Sequence, residues 1–174
     1  MVSSPTPRRN PAINLRDYDP RDFESLHALD QKCYPRGIAY SKRTLHWFLN
    51  LPGALCLAAE AGSGSSAADG SIAGFIIGEF SGARGHIITL DVMESYRRLH
   101  IGTMLLNELE ARLWRRGVRE VELETATTNE PGIAFWHRRG YRTNGVIRRY
   151  YLGRIDAYHM EKSLAAPVPL DDIH

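Results

Sequence analysis

Hydrophobic residues recur along this chain with two spacings, one every three to four residues and one every second residue. The first buries one side of a helix and the second one face of a strand. Phe23, Leu26, Leu29 and Cys33 follow the helical spacing after Pro20, a residue suited to a first helical position, and Pro35 stops the run. Ser41 is placed to cap a second helix over residues 42–49, which Pro52 and Gly53 close. Ile101, Leu105, Leu109 and Leu113 repeat every four residues and predict a helix over residues 102–116, ended by Gly117. A shorter helix is predicted over residues 131–139, ended by Gly140. Strand patterns cover residues 13–15, 54–59, 72–80, 86–93, 118–125, 141–147 and 157–162. The order mixes both element types through one domain, which predicts an α/β or α+β sheet with helices on both faces.

Between these segments the composition changes. Residues 1–12 are polar with three prolines and read as a flexible tail; residues 165–174 read as a second one. The Gly/Ser-rich stretch at 61–70 has strands close on either side, so it reads as a mobile hairpin loop inside a single domain at 13–164. With 43% hydrophobic residues, a chain of this length can bury a core without staples. Lys plus Arg is 22 against 20 for Asp plus Glu, a near balance that argues against nucleic-acid binding. No apolar run approaches a membrane span and no signal-peptide core opens the chain, so a cytoplasmic protein with no membrane role is expected, as monomer or homodimer. Cys33 and Cys56 sit in apolar segments and are expected to be buried thiols. His27, His46, His137, His159 and His174 show no metal-ligand spacing, so no metal is expected.

The chemistry concentrates in residues 87–106, where a strand runs into a basic turn and the turn into a helix. A helix start leaves backbone N–H groups unpaired and carries a partial positive charge, which suits phosphate, and Arg97 and Arg98 can add charge-assisted contacts. An ordinary strand-loop-helix connection with solvated arginines would read the same way. The Gly-Lys-Ser/Thr ending of a phosphate loop is absent, and so is Gly-x-Gly-x-x-Gly.

Arg97-x-x-His100-x-Gly102 resembles the Arg/Gln-x-x-Gly-x-Gly/Ala turn of the GNAT superfamily of N-acetyltransferases, with His100 in place of the first glycine. Downstream, Glu124, Asn129, Ala134, Trp136, Gly140 and Tyr141 resemble that family's closing strand-helix-strand unit. Arg149-Tyr150-Tyr151 with Asp156, Ala157 and Met160 is similar to the branch that acetylates protein N-termini, including the bacterial ribosomal-protein alanine acetyltransferase. The resemblance covers roughly residues 13–164 and implies a mixed, mostly antiparallel twisted sheet of six to seven strands. It implies acetyl-CoA as co-substrate. Leu90, Asp91 and Val92 would lie beside the pantetheine, where the family's strand bulges. Arg97, Arg98, Leu99, His100, Ile101, Gly102 and Thr103 would hold the pyrophosphate, and Asn129 and Trp136 would add contacts. Where relatives carry a tyrosine that protonates the leaving thiolate, this chain has Trp136, whose indole is donor-only.

Glu120, Glu122 and Glu124 share one strand face. The first two read as solvated carboxylates. Glu124 holds the place of the general base in the bacterial alanine acetyltransferase, and His86 would be a second titratable group beside it, able to relay a proton. Tyr34, Tyr40, Tyr150 and Tyr151 could line an acceptor groove, or be surface tyrosines. Freeing a neutral amine at pH 7 costs about 1.4 kcal/mol for an α-amine and about 4.6 kcal/mol for a lysine. That favours a protein or peptide N-terminus as acceptor. A small-molecule amine (metabolite or antibiotic) and a non-catalytic CoA-binding regulator remain as alternatives.

Overall fold

The computed structural model describes residues 11–62 and 71–167. Most of the expected tails at 1–12 and 165–174 and of the expected loop at 61–70, namely residues 1–10, 168–174 and 63–70, lies outside the described residues. The elements run β1 (Ile13–Asp17), α1 (Phe23–Cys33), α2 (Lys42–Leu49), β2 (Leu55–Ala61), β3 (Ser71–Ser81), β4 (Arg84–Val92), α3 (Ile101–Arg115), β5 (Glu120–Ala126), α4 (Glu130–Arg138), β6 (Arg142–Tyr151) and β7 (Ile155–Ser163). This is the order the hydrophobic pattern predicts. Local chemistry sets the starts. Pro20 opens a short 3-10 turn whose Asp19 and Asp22 form a reciprocal capping box before α1. Ser41 accepts the Thr44 N–H at 3.1 Å, capping α2.

The seven strands form one sheet in the order β1-β2-β3-β4-β5-β7-β6. Every neighbouring pair is antiparallel except β4 and β5, which are parallel, as a helical crossover requires. The β4–β5 pairing spans only Arg84↔Glu120, Gly85↔Val121 and His86↔Glu122. Beyond His86 the two strands part.

Helices cover both faces. On one, α3 lays Ile101, Leu105, Leu106, Leu109 and Leu113 against Leu57, Ile76, Ile87, Val121 and Leu123. Each such buried aliphatic contributes about 1.5–3 kcal/mol from leaving water. A Cβ at Gly78 would come within 2.9 Å of Leu109, so only glycine lets α3 lie this close to β3. On the other face, Leu26 and Leu29 of α1 and Leu45 of α2 pack on Ala58, Phe75 and Ile77. Cys33 and Cys56 are free thiols, and both are only partly buried, because each lies at the margin of this cluster. Among the described residues, no helix is long and apolar enough to cross a membrane.

Two irregularities aim side chains. Against β3, Ile77 pairs Thr89 but Gly78 pairs Ile87, so Ile88 is an extra residue in β4. The bulge therefore precedes Leu90–Val92 and does not coincide with it. It resets the alternation: Ile87, Leu90 and Val92 face α3, while Ile88 packs on the α1 side and the Thr89 and Asp91 side chains join it there. In the hairpin, Ile147 pairs Ala157 and Tyr151 pairs Ile155, so three residues of β6 oppose one of β7. Pairing resumes past this bulge, which is why β6 runs four residues beyond its expected end at 147.

Candidate active site

The parting of β4 and β5 opens a cleft of about 780 Å³ between their diverging edges. Ile87, Ile88, Leu90 and Val92 line one wall and Leu123, Glu124, Thr125 and Ala126 the other. In a strand, the N–H and C=O of one residue point to the same side. Met93 bonds back to Ala73 of β3, so the alternate residues Leu90 and Val92 turn their backbone groups toward the gap, and the carbonyl of the bulge residue Ile88 joins them. Their carbonyls are met by side chains: Tyr40 Oη donates to Ile88 O (3.3 Å), Tyr34 Oη to Leu90 O (3.3 Å), and Cys33 Sγ to Val92 O (3.6 Å). The N–H groups of Leu90 and Val92 face the gap as well.

At the point where the strands part, His86 Nε2 lies 2.7 Å from Glu124 Oε2. Burial opposes the charge on His86, but the hydrogen bond and charge of Glu124 outweigh it and raise the imidazole above its ordinary value. Burial likewise opposes ionisation of Glu124, yet His86, with help from the charge of His159, holds it below the usual carboxylate value. Each member of the pair therefore favours the charged form of the other. The pair's stabilising effect is present between these two limits: it fades as pH rises through the raised pKa of His86 and as pH falls through the lowered pKa of Glu124. Glu120 and Glu122, further from the gap, are tied to Arg84 at 3.0 and 3.3 Å, and Glu122 also to His159 at 3.3 Å.

At the other end of the cleft, the turn into α3 takes left-handed backbone at Arg98 (φ 75°) and His100 (φ 58°). The second is where the resembling motif has glycine; histidine tolerates this conformation better than most residues, at a cost of about 1 kcal/mol. No side chain caps α3, and its first internal bond runs from Met104 N to His100 O. The N–H groups of Ile101, Gly102 and Thr103 are thus without helical partners. Gly102 itself is helical; a Cβ there would touch Phe135 at 3.4 Å and Leu90 at 3.7 Å, facing the cleft between α3 and α4. Asn129 caps α4, its side chain accepting Gly132 N–H at 3.2 Å, and Trp136 is buried edge-on between Phe135 and Tyr141.

Of the residues named from sequence, His86 meets Glu124, and Leu90, Val92, Arg97, Arg98, His100, Ile101, Gly102, Thr103, Asn129, Trp136, Tyr34, Tyr40 and Tyr151 line the cleft. Three have side chains outside the cleft lining. The Asp91 side chain points to the α1 face and is fully buried there, because the bulge at Ile88 fixes which face it takes. Leu99 packs into the α3 core. Tyr150, in the three-residue bulge, is 47% exposed and absent from the cleft lining, yet its hydroxyl interacts with the Glu124 carboxylate; Tyr151 turns in and donates to Glu124 O at 3.3 Å. Sequence reasoning missed Tyr96, Thr125, Phe135, Arg138 and Arg139, all in the wall. Only the closeness of Arg138 and Arg139 to Asn129 could have signalled the last two.

A sequence profile described as the Acetyltransferase (GNAT) family matches residues 23–141. An N-alpha-acetyltransferase of Sulfurisphaera tokodaii is 38% identical over 86 residues, which is 49% of each chain. The match thus spans about half the length of that curated relative. The crystal structure of Ard1 from Thermoplasma volcanium superposes with a TM-score of 0.78 at 22% identity, covering 88% of this chain and 99% of that one. Arabidopsis thaliana NAA60 in complex with acetyl-CoA gives 0.73 at 22% identity, with 88% and 99% covered. At such identities the superpositions establish the shared fold, and the profile, matching well over half the chain, establishes the rest: this chain belongs to the GNAT acetyltransferase family.

Proposed function

We propose that this chain transfers the acetyl group of acetyl-CoA to the α-amine of a protein or peptide N-terminus. The observation that carries the reading is the His86–Glu124 pair, held at 2.7 Å where β4 and β5 part. Its Glu124 lines a cleft that continues to the uncapped start of α3, with His86 behind it. The donor fits what surrounds that cleft. Unpaired N–H groups of Ile101, Gly102 and Thr103, with Arg97 and Arg98 beside them, suit a pyrophosphate. The gap-facing N–H groups of Leu90 and Val92 suit a thioester oxygen, whose developing charge they would stabilise. Acetyl-CoA supplies the acetyl group as a thioester.

The acceptor nitrogen forms its bond to the acetyl carbon while the carbon–sulfur bond breaks and sulfur keeps the electron pair. The nitrogen's surplus proton passes to the Glu124–His86 pair. With His86 raised and Glu124 lowered, the pair accepts that proton only once His86 has lost its own, so the base form grows with pH through the raised pKa of His86. Trp136 gives no acidic proton, and a thiolate of pKa about 8.5 leaves without one.

The similar N-alpha-acetyltransferases support the choice of α-amine, as does the smaller proton cost of that amine. Three acceptor panels test it: short peptides with free N-termini, the same peptides blocked but carrying lysine, and small polyamines or aminoglycosides. Acetylation of the first panel is expected. Acetylation of the third alone would overturn the acceptor while leaving the donor site standing.

A further inference from the structure

Behind the acceptor end of the cleft lie two carboxyl groups that the transfer reaction does not use. Asp30 of α1 and Asp91 of β4 are both fully buried. Among the described residues neither has a cationic partner. Asp30 Oδ2 accepts the Tyr40 N–H at 2.7 Å and the Gln31 amide at 3.3 Å. Asp91 Oδ1 accepts the Thr89 hydroxyl at 2.8 Å, and that hydroxyl lies 3.3 Å from Tyr34 Oη. One oxygen of each acid, Asp30 Oδ1 and Asp91 Oδ2, has no partner. Two carboxylates in an apolar interior repel each other and leave costly bare acceptors; one proton on the pair removes the repulsion and supplies a donor.

We propose that Asp30 and Asp91 together hold one proton, and that this proton positions Tyr34 and Tyr40, the two tyrosines that fix the acceptor end of the cleft. The links are direct. Asp30 pins the backbone of Tyr40, whose hydroxyl reaches Ile88 O. Asp91 holds Thr89, which neighbours Tyr34, whose hydroxyl reaches Leu90 O. Both tyrosine hydroxyls thus meet the strand that would carry the thioester. Burial, then the charge of Asp30, pushes Asp91 up to about 8, while burial raises Asp30. The titratable groups facing the pair are His27, Cys33, Tyr34, Tyr40 and, more distantly, Cys56 of β2, with Arg97 beyond Cys33. Of these, only His27 and Arg97 bring positive charge, and neither touches the carboxyls. Asp30 and Asp91 are positioning residues here, since they act through the tyrosines.

The proposal rests on the acetyl-transfer reading only for its kinetic arm. Carbon-detected NMR of the aspartate carboxyls of the full chain needs no acceptor. One carboxyl should titrate near pH 8, with the ring signals of Tyr34 and Tyr40 moving at the same midpoint, and Asp91→Asn should remove that titration. Ordinary titration of both acids near 4, or tyrosine signals blind to it, would overturn the proposal whatever the enzyme acetylates. In the kinetic arm, KM for an alanine-initiated peptide, corrected for its free-amine fraction, should rise about tenfold from pH 7 to 9, a change of about 1.4 kcal/mol. The acetyl-CoA KM should stay flat, and Asp91→Asn should abolish the rise. Persistence of the rise in a folded Asp91→Asn protein would defeat the positioning role. Asp30→Asn gives a second route to the same outcome should the first variant not fold.

Discussion

The two ends of the cleft are built differently. The donor end is local: Arg97 to Thr103 form one turn and one helix start, and every group that would meet a pyrophosphate comes from seven consecutive residues. The acceptor end is assembled from afar. Tyr34 reaches Leu90 across 56 positions, Tyr40 reaches Ile88 across 48, and Tyr151 reaches Glu124 across 27. A binding site made by one turn is written contiguously in the chain and changes slowly with context. A site made by three separate segments can be reshaped by any one of them, so within one fold the donor stays common while the acceptor varies.

Substitutions can break or sharpen this contrast. The largest effect is expected at the junction of the two ends. Glu124→Gln should lower turnover by about 10²–10⁴-fold while acetyl-CoA affinity is kept, as single-turnover kinetics and calorimetry would check. Next is the donor end alone. Gly102→Glu drives a charged chain toward Phe135 and Leu90 and should weaken acetyl-CoA binding by more than about tenfold, or 1.4 kcal/mol, measured by calorimetry. The acceptor KM in that variant should be near normal; a parallel rise would show that the ends are not separate. At the acceptor end, changing Tyr150 and Tyr151 together to Ala should raise the peptide KM by about tenfold and move the acetyl-CoA KM little. Tyr151 lines the cleft and Tyr150 interacts with Glu124 from its rim, so each single Ala variant should show part of that change.

The pH profile separates the base from both ends. The acidic limb of kcat/KM should have its midpoint above the ordinary histidine value, since Glu124 raises His86. Residual activity of Glu124→Gln should show that midpoint lowered, because burial then acts on His86 with less opposition. An unchanged midpoint would assign the limb to another group. The smallest effect is at His100. Replacing it with Gly removes the strain of a left-handed non-glycine residue and should raise Tm by about 2–4 °C, with acetyl-CoA affinity within about twofold.

The same contrast decides what could be read from sequence. The stripe Ile101, Leu105, Leu109 and Leu113 announces α3 because each residue is buried by its own helix geometry. Glu124 and His86 could be named as neighbours through the resemblance to the GNAT superfamily, and the short parallel pairing of β4 with β5 is what brings them together. Asp91 could not be placed. A one-residue bulge reverses which of Leu90, Asp91 and Val92 face the cleft, and nothing in the run of residues 87–92 marks Ile88 as the extra one. The Asp30–Asp91 juxtaposition was equally hidden, since it depends on how α1 settles on β4. Tyr150 and Tyr151 are adjacent and chemically identical, and only the register of the last hairpin separates an exposed ring from one in the cleft.

The three-residue seam between β4 and β5 has a consequence for how activity is acquired during folding. Strands β2, β3 and β4 pair as successive hairpins, and so do β6 and β7, while β5 joins β7. Pairings between near neighbours in the chain close quickly, and the two closures that bring in β5, on β7 and on β4, are slower. His86 and Glu124 stand on opposite banks of that seam, 38 residues apart. A partly assembled chain with both halves well formed would show nearly native circular dichroism and yet have no catalytic pair. Recovery of turnover after denaturation therefore times the docking of the two halves, whereas the spectroscopic signal times the halves themselves.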